Sequence, residues 1–382
     1  MAGEFPEHPP LTIGGIQTVT WQLSSALMRM SGVEVSALSV EKWLDSSAWV
    51  SKACHAGIDA QYVRSPRHVP NVVTAWTSDA WVVQHRAKRL GPDLVHGHGQ
   101  AGYSVGTIRS GLPHVVTMHG ILTQEKAAND RAWRSRLRES TWSSLENWVL
   151  RKVKHLIVIS PHVLDSVSPR TSASLHLIPN AVSDDFFGLT RVASATPTVL
   201  AVGWLDPRKR QDMLIRAMAL VHKQREDVRL RIVGNAPPRG ADYAEKLAAL
   251  VRELDLETVV SIESAVSQER LNEYYATSWL LAHCAVEESS PMAIAQALAS
   301  GLPVVAVDIP GVRHLVTDNV NGYRNGIDDE VSLASKLLDA LESRAKLDGM
   351  SVAARTSASK FSQAAVAAET SELYHAILAG AR

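Results

Sequence analysis

Glu287-Glu288-Ser289-Ser290-Pro291-Met292-Ala293-Ile294-Ala295-Gln296-Ala297-Leu298-Ala299-Ser300-Gly301-Leu302-Pro303-Val304-Val305-Ala306 carries the densest chemistry in the chain. A buried strand is expected to end near Ala285, and two carboxylates stand in the turn after it. Ser290 then supplies an N-cap and Pro291 a first helical residue, for a helix that Gly301 closes. That geometry aims free backbone N–H groups outward from a strand's carboxyl end, where an anion, here a diphosphate, is well placed. An ordinary strand-to-helix crossover without a ligand fits the same residues.

Outward from this stretch, short apolar and β-branched runs alternate with longer helical patterns through the whole sequence. A parallel sheet covered by helices produces that alternation. Expected strands in the first half are Val33–Val40, Asp93–His98, His114–His119, His155–Ser160 and Leu175–Pro179. The second half offers Thr198–Trp204, Leu230–Asn235, Val259–Glu263, Trp279–Ala285 and Pro303–Asp308. Between the sets, Gly188–Pro197 is rich in Ser, Thr and Ala, lacks either period and reads as an interdomain linker. The expected division is therefore 1–188, 189–360 and a terminal helix, 361–382. Gly14-Gly15 resembles the glycine turn that follows a first strand, but the residues before it are Pro-rich, so that strand is expected to be missing.

Bulk composition narrows the function. With 382 residues, and ~100–200 per domain, two domains are the expectation. Lys and Arg number 39, as do Asp and Glu, so the formal charge is zero and the basic footprint of a nucleic-acid binder is absent. Two cysteines, Cys54 and Cys284, make neither a disulfide framework nor a zinc site and suit a reducing compartment. The start has neither the basic residues nor the apolar run of a secretory signal, and the longest uncharged stretch, Ser289–Val307, is broken by Pro291, Gly301 and Pro303. A soluble cytoplasmic protein is expected.

A second motif, Val202-Gly203-Trp204-Leu205-Asp206-Pro207-Arg208-Lys209-Arg210, follows an apolar strand and precedes a helix expected from Gln211. Three successive cations beside a helix start would neutralise charge building on a phosphate leaving group, although a short basic turn is often merely solvated. Together the two stretches resemble the nucleotide-sugar-binding domain of glycosyltransferase family 4. Further resemblances span nearly the whole chain: Gly14-Gly15-Ile16, Asp93-Leu94-Val95-His96-Gly97-His98, Thr117-Met118-His119-Gly120, Val158-Ile159-Ser160, Ile178-Pro179-Asn180-Ala181-Val182 and Asp318-Asn319-Val320-Asn321-Gly322.

The resemblance implies an α/β protein of the GT-B fold, two Rossmann-like domains with parallel sheets facing across a cleft. It implies a retaining enzyme moving a sugar from a nucleotide diphosphate donor to a hydroxyl acceptor in surface polysaccharide, glycolipid or glycoside synthesis. By resemblance, Glu288 contacts the donor sugar hydroxyls, Lys209 is the diphosphate lysine and His119 lies near the reacting sugar. Gln296 stands where the family has a Glu holding the nucleotide ribose, and Trp204 where it has an Arg, so Arg208 or Arg210 would reach the phosphates. Gly14, Gly15, Ser290, Pro291 and Met292 complete the expected donor contacts. The resemblance also crosses the terminal helix back to the N-terminal domain. The departures at 204 and 296 keep a second reading open, a non-catalytic GT-B protein that binds nucleotide or glycan. A GT-B epimerase or phosphorylase is a third.

No pair of carboxylates suits a double displacement. The resemblance instead implies front-face retention, with the departing diphosphate oxygen taking the proton of the incoming hydroxyl. No Asp-x-Asp metal signature occurs, and His96 and His98, on alternate positions of one strand, lack a third ligand; no metal or other cofactor is expected. Between Asp130 and Lys154, seven cations interleave with Trp133, Trp142 and Trp148, and residues 133, 137, 145, 148 and 149 form an apolar stripe. Such a helix would suit peripheral contact with an anionic membrane carrying a lipid-linked acceptor, or would simply pack its stripe inside.

Overall fold

The computed structural model describes residues 1–9, 15–41, 49–65, 77–99, 102–121, 133–237, 241–264, 266–327 and 329–381, with only the backbone described at 133–141 and 241. The chain divides into two compact units, Met1–Ala181 with Gln363–Arg382, and Val182–Ser362. Among the described residues no helix is long and apolar enough to cross a membrane.

The first unit contains β1 (Ser36–Glu41), β2 (Val50–His55), β3 (Ile58–Arg64), β4 (Val95–His98), β5 (His114–Met118), β6 (His155–Val158) and β7 (Ser174–Leu177). β4 to β7 pair in parallel, and so do β1 and β3. β2 returns antiparallel to β3 through a hairpin at Ala56 and Gly57, both with positive φ (49° and 85°), as a primed two-residue turn requires. That hairpin escaped the sequence reading.

The expected absence of a first strand needs correction. Ala2 bridges Leu38 on one side and Gly97 on the other, with Ala2 N–H donating to the His96 carbonyl at 2.8 Å and His98 N–H to the Ala2 carbonyl at 2.8 Å. Three residues thus fill the central slot and join β1 to β4. They are too few to show an apolar period, and the prolines that follow, Pro6, Pro9 and Pro10, mask them in the sequence.

The second unit contains β8 (Thr198–Val202), β9 (Arg229–Val233), β10 (Val260–Glu263), β11 (Leu280–His283), β12 (Val304–Val307) and β13 (Gly322–Asn325), all paired in parallel. Their order across the sheet is β10-β9-β8-β11-β12-β13. Chain order therefore reverses between β8 and β11, the point at which doubly wound sheets take their ligands. β12 is buried at every position, so it reads as an unbroken apolar run. The covering helices are set by short polar caps: Ser267 accepts from Arg270 N–H, Asp329 from Ser332 N–H and Ser343 from Lys346 N–H.

The unit boundaries differ from those expected. Residues 182–188 belong to the second unit, where Val182 and Phe186 lie in its core with Phe361, and Val182 N–H donates to the Phe361 carbonyl at 2.8 Å. The stretch expected as a linker, Gly188–Pro197, is instead strapped along that unit. Val192 and Ser194 donate backbone N–H groups to the carbonyls of Ala276 and Thr277. The Arg191 guanidinium reaches the carbonyls of Tyr275 and Ser278 at 3.1 and 2.8 Å. It thereby satisfies carbonyls at the end of the helix Gln268–Thr277, where a cation also favours the helix dipole. Composition alone does not reveal this, because the partners are carbonyls far along the chain. The last helix, Gln363–Ala381, packs in the first unit, with Val366, Leu373 and Ile377 in one cluster with Leu23 and Leu27.

Arg191→Ala is expected to lower the second unit's stability by about 1–3 kcal/mol, the cost of leaving buried carbonyls without a donor. Urea unfolding measures it, and an unchanged midpoint would show the strap to be loosely held.

Candidate functional site

At the sheet's reversal point, the loop after β8 is shaped by backbone constraints before any ligand is considered. Gly203 has φ 151°, and a Cβ on Gly234 would fall 1.8 Å from the Gly203 carbonyl oxygen, so two backbones pass in contact. Asp206 then caps a short 3₁₀ turn, Pro207–Lys209, by accepting from Arg208 N–H at 2.9 Å. Arg210 follows with φ 51° and opens the helix Gln211–His222. The turn therefore throws Lys209 back toward the strand ends.

The facing loop, after β11, brings Glu288 to the same place. Val286 N–H donates to the Arg208 carbonyl at 3.0 Å, tying the loops together. A Cβ at Gly311 would stand 1.7 Å from the Glu288 carbonyl oxygen, so only glycine there lets the loop seat. Glu288 Oε1 accepts from Lys209 Nζ in an ion pair whose side chains are 16% and 18% exposed. His283 Nε2, at the end of β11, lies 3.7 Å from the same oxygen. Burial pushes the Glu288 carboxyl up, but Lys209, His283 and Arg208 outweigh it and hold the group below the usual carboxylate range. Burial also drives the His283 imidazole down, to about 4.

The helix that follows is Met292–Ser300, one residue later than expected, with Pro291 as the capping residue and no side-chain cap. Ser290 is thus not the N-cap; its hydroxyl lies 3.4 Å from His314 Nε2. Proline's fixed φ, −67° here, suits the cap as well as the first turn. Gly301 closes the helix with φ 74°, as expected. Gln296 lies on this helix, and the buried Tyr275 hydroxyl donates to its Oε1 at 3.2 Å. Met292 packs against the unit's core.

The structure brings Lys209, Glu288, Pro291 and Met292 to one end of the sheet. Arg208 stands close enough to depress Glu288, although its Nε lies 3.4 Å from Asp206. Arg210 turns aside, 3.8 Å from Asp212. Trp204 offers its carbonyl to Gln211 at 2.8 Å. Two participants escape the sequence reading: His283 and Tyr275. A histidine ending the buried run Leu280-Leu281-Ala282 was the available signal, because a polar residue there is unusual unless it faces a site.

In the first unit, Gly14 lies outside the described residues, and Gly15 opens the helix Gly15–Met28. His119 follows β5 and stacks on His98, with His98 Nδ1 and His119 Nε2 3.0 Å apart. His96 is held on both nitrogens, at 2.6 Å from Tyr374 Oη and from Thr117 Oγ1, which makes it structural. His98, His119 and Asn180 line a small pocket whose walls include Val19, Leu23, Ile178 and Val366. Burial holds His96 and His98 well below the ordinary histidine range; His119, also lowered by burial and partly restored by Asn180, sits at about 4. Among the described residues no group of three or more His, Cys, Asp or Glu is arranged to hold a metal ion.

The amphipathic helix forms as Trp133–Lys152. Its described apolar positions, Leu145, Trp148 and Val149, pack against Ala80 and Val105, and Arg109 lies over the Trp148 ring at 5.3 Å. The stripe's first half, at 133 and 137, has no described side chains. This end of the helix thus uses its apolar face inside the unit.

Two family models match the chain, Glycosyl transferases group 1 over residues 186–357 and Glycosyltransferase Family 4 over residues 13–186. A D-inositol 3-phosphate glycosyltransferase of Thermobispora bispora is 28% identical over 306 residues, covering 74% of this chain and 70% of that protein. Among solved structures, a sucrose-phosphate synthase from Thermosynechococcus elongatus superposes with TM-score 0.82 at 21% identity, covering 96% of this chain and 94% of the other. Anabaena HepE, solved with UDP-glucose, gives TM-score 0.75 at 18% identity, with 98% of each chain covered.

The lowered imidazoles fix a sign for pH dependence. Their folded values lie below the unfolded value of 6.5, so protonation favours the unfolded chain. Their contribution is complete above pH 6.5 and is lost as pH falls toward 4. Melting temperature is expected to drop already between pH 6.5 and 5, above the range where ordinary carboxylates titrate, and His119→Gln to make that drop shallower. A flat curve over that interval would contradict the burial of these rings.

Proposed function

Because the chain belongs to glycosyltransferase family 4 and has the GT-B fold, we propose that it is a retaining enzyme transferring a sugar from a nucleotide diphosphate donor to a hydroxyl acceptor. The observation that carries this reading is the Lys209–Glu288 pair, nearly closed off from solvent where strand order reverses, next to the open end of the helix Met292–Ser300. A diphosphate suits that place. Lys209 and the first-turn amides supply positive charge where charge develops on the leaving phosphate, in a partly buried site where water screens it less than in bulk. Glu288 is a charged acceptor for sugar hydroxyls, and such bonds are roughly twice as strong as neutral ones.

In the proposed step the anomeric C–O bond to the diphosphate breaks as the acceptor oxygen bonds the same face of that carbon. The acceptor's proton passes to the departing phosphate oxygen. The protein contributes position and electrostatics rather than a covalent partner, and Glu287 and Glu288, adjacent in one loop, offer no second carboxylate at glycosidase spacing. No metal is assigned a part. His119 is the proposed polar contact on the acceptor side. We assign the acceptor only as a hydroxyl compound, a lipid-linked one among the candidates, and the pathway as surface polysaccharide, glycolipid or glycoside synthesis.

A melting-temperature screen against UDP, GDP and ADP should give a clear ranking, because a ligand that binds only the folded state raises its stability by mass action. With the best donor's sugar nucleotide, Lys209→Ala and Glu288→Gln are each expected to cut turnover by about 10²-fold or more, as loss of a group serving the developing charge does. A uniform lack of response to all three nucleotides would overturn the reading. Binding without transfer or hydrolysis would favour a non-catalytic binding protein.

A further inference from the structure

His283 has no part in the reading above, yet it is 5% exposed and its buried Nε2 has no hydrogen-bond partner. That nitrogen lies 3.7 Å from Glu288 Oε1, too long for a hydrogen bond and short enough to become one after a movement of under about 1 Å. That oxygen is occupied by Lys209. The groups bearing on Glu288 are Lys209 and Arg208 from the loop after β8 and His283 from β11. Arg208 is itself beside Asp206.

A diphosphate in this site competes for the same ammonium. Two phosphate charges draw Lys209 toward themselves, and Glu288 then faces the loss of its cation while remaining buried. An ionised carboxylate left in that position without a donor would oppose ligand binding. We propose that His283 is a positioning residue that takes over the Glu288 carboxylate when a diphosphate draws Lys209 away. As the neutral Nε2–H tautomer it donates to Oε1, keeping Glu288 ionised and aimed at the sugar without adding a charge of its own. The low value of about 4 fits this role, since the imidazole stays neutral at physiological pH. The inference rests on the proposed function, because it needs a diphosphate ligand.

The test is a double-mutant cycle on nucleotide affinity, measured by titration calorimetry with whichever of UDP, GDP and ADP binds most tightly. His283→Phe should weaken binding about tenfold, the cost of a buried charged acceptor without its donor. Without nucleotide it should change the melting temperature little, because the Lys209–Glu288 pair is intact. His283→Gln, which returns an N–H near the same position, should restore affinity. In the Glu288→Gln background, where no charge is left behind, His283→Phe should have little effect. His283→Met serves as the second apolar replacement should the phenylalanine prevent folding. Equal weakening in both backgrounds, or no rescue by Gln, would overturn the hand-over and leave the proposed function standing. Absence of binding by all three nucleotides in the unsubstituted protein would remove both.

Discussion

The structure of the second unit turns on keeping one carboxylate charged in a nearly closed place. An unpaired ion there would cost several kcal/mol, and in this structure Lys209 beside Glu288 removes that cost. The rest of the two loops can be understood as the means of holding that pair. Gly203 and Gly234 let backbones pass in contact, the Asp206 cap fixes the turn, the Val286–Arg208 backbone bond ties the loops and Gly311 gives Glu288 room. Each removes a freedom that would otherwise let the charges separate into water.

How far the sequence reveals this follows from the range of the interactions. The strands and helices of the second unit were legible because they are local: unbroken apolar runs, a serine or aspartate cap, a glycine at a helix end. The lysine and glutamate were legible as motif positions. Their meeting rests on the sheet order, in which β8 and β11 are neighbours although 77 residues (203–279) lie between Val202 and Leu280. Tyr275 escapes for that reason, since it acts on Gln296, 21 residues further along the chain, whereas His283 stands close before Glu288 in the chain and is marked only by its place at the end of a buried apolar run. Ser290 was misassigned as a cap because its hydroxyl has His314 within reach, again from another loop.

The first unit was harder to read, for a different physical reason. Its central slot is filled by three residues, its edge by a hairpin without a clean alternation, and its histidines by one another. Met1–Gly3 take their strand character entirely from β1 and β4 on either side. The Gly188–Pro197 strap shows the same effect in reverse: polar, small residues that look like a linker become fixed by carbonyl and guanidinium partners. Composition describes what a segment can do alone, and these segments do nothing alone.

The glutamine at 296, where the family resemblance calls for glutamate, fits the charge balance of the site. Lys209 and Arg208 face Glu288 and Asp206, so two cations already meet two carboxylates. A third carboxylate on the same helix would give the site a negative sum before a diphosphate arrived. An amide keeps a hydrogen-bonding group at that position, steadied by Tyr275 at 3.2 Å, without adding a further negative charge. The positive end of the helix Met292–Ser300 then tips the local field toward anions.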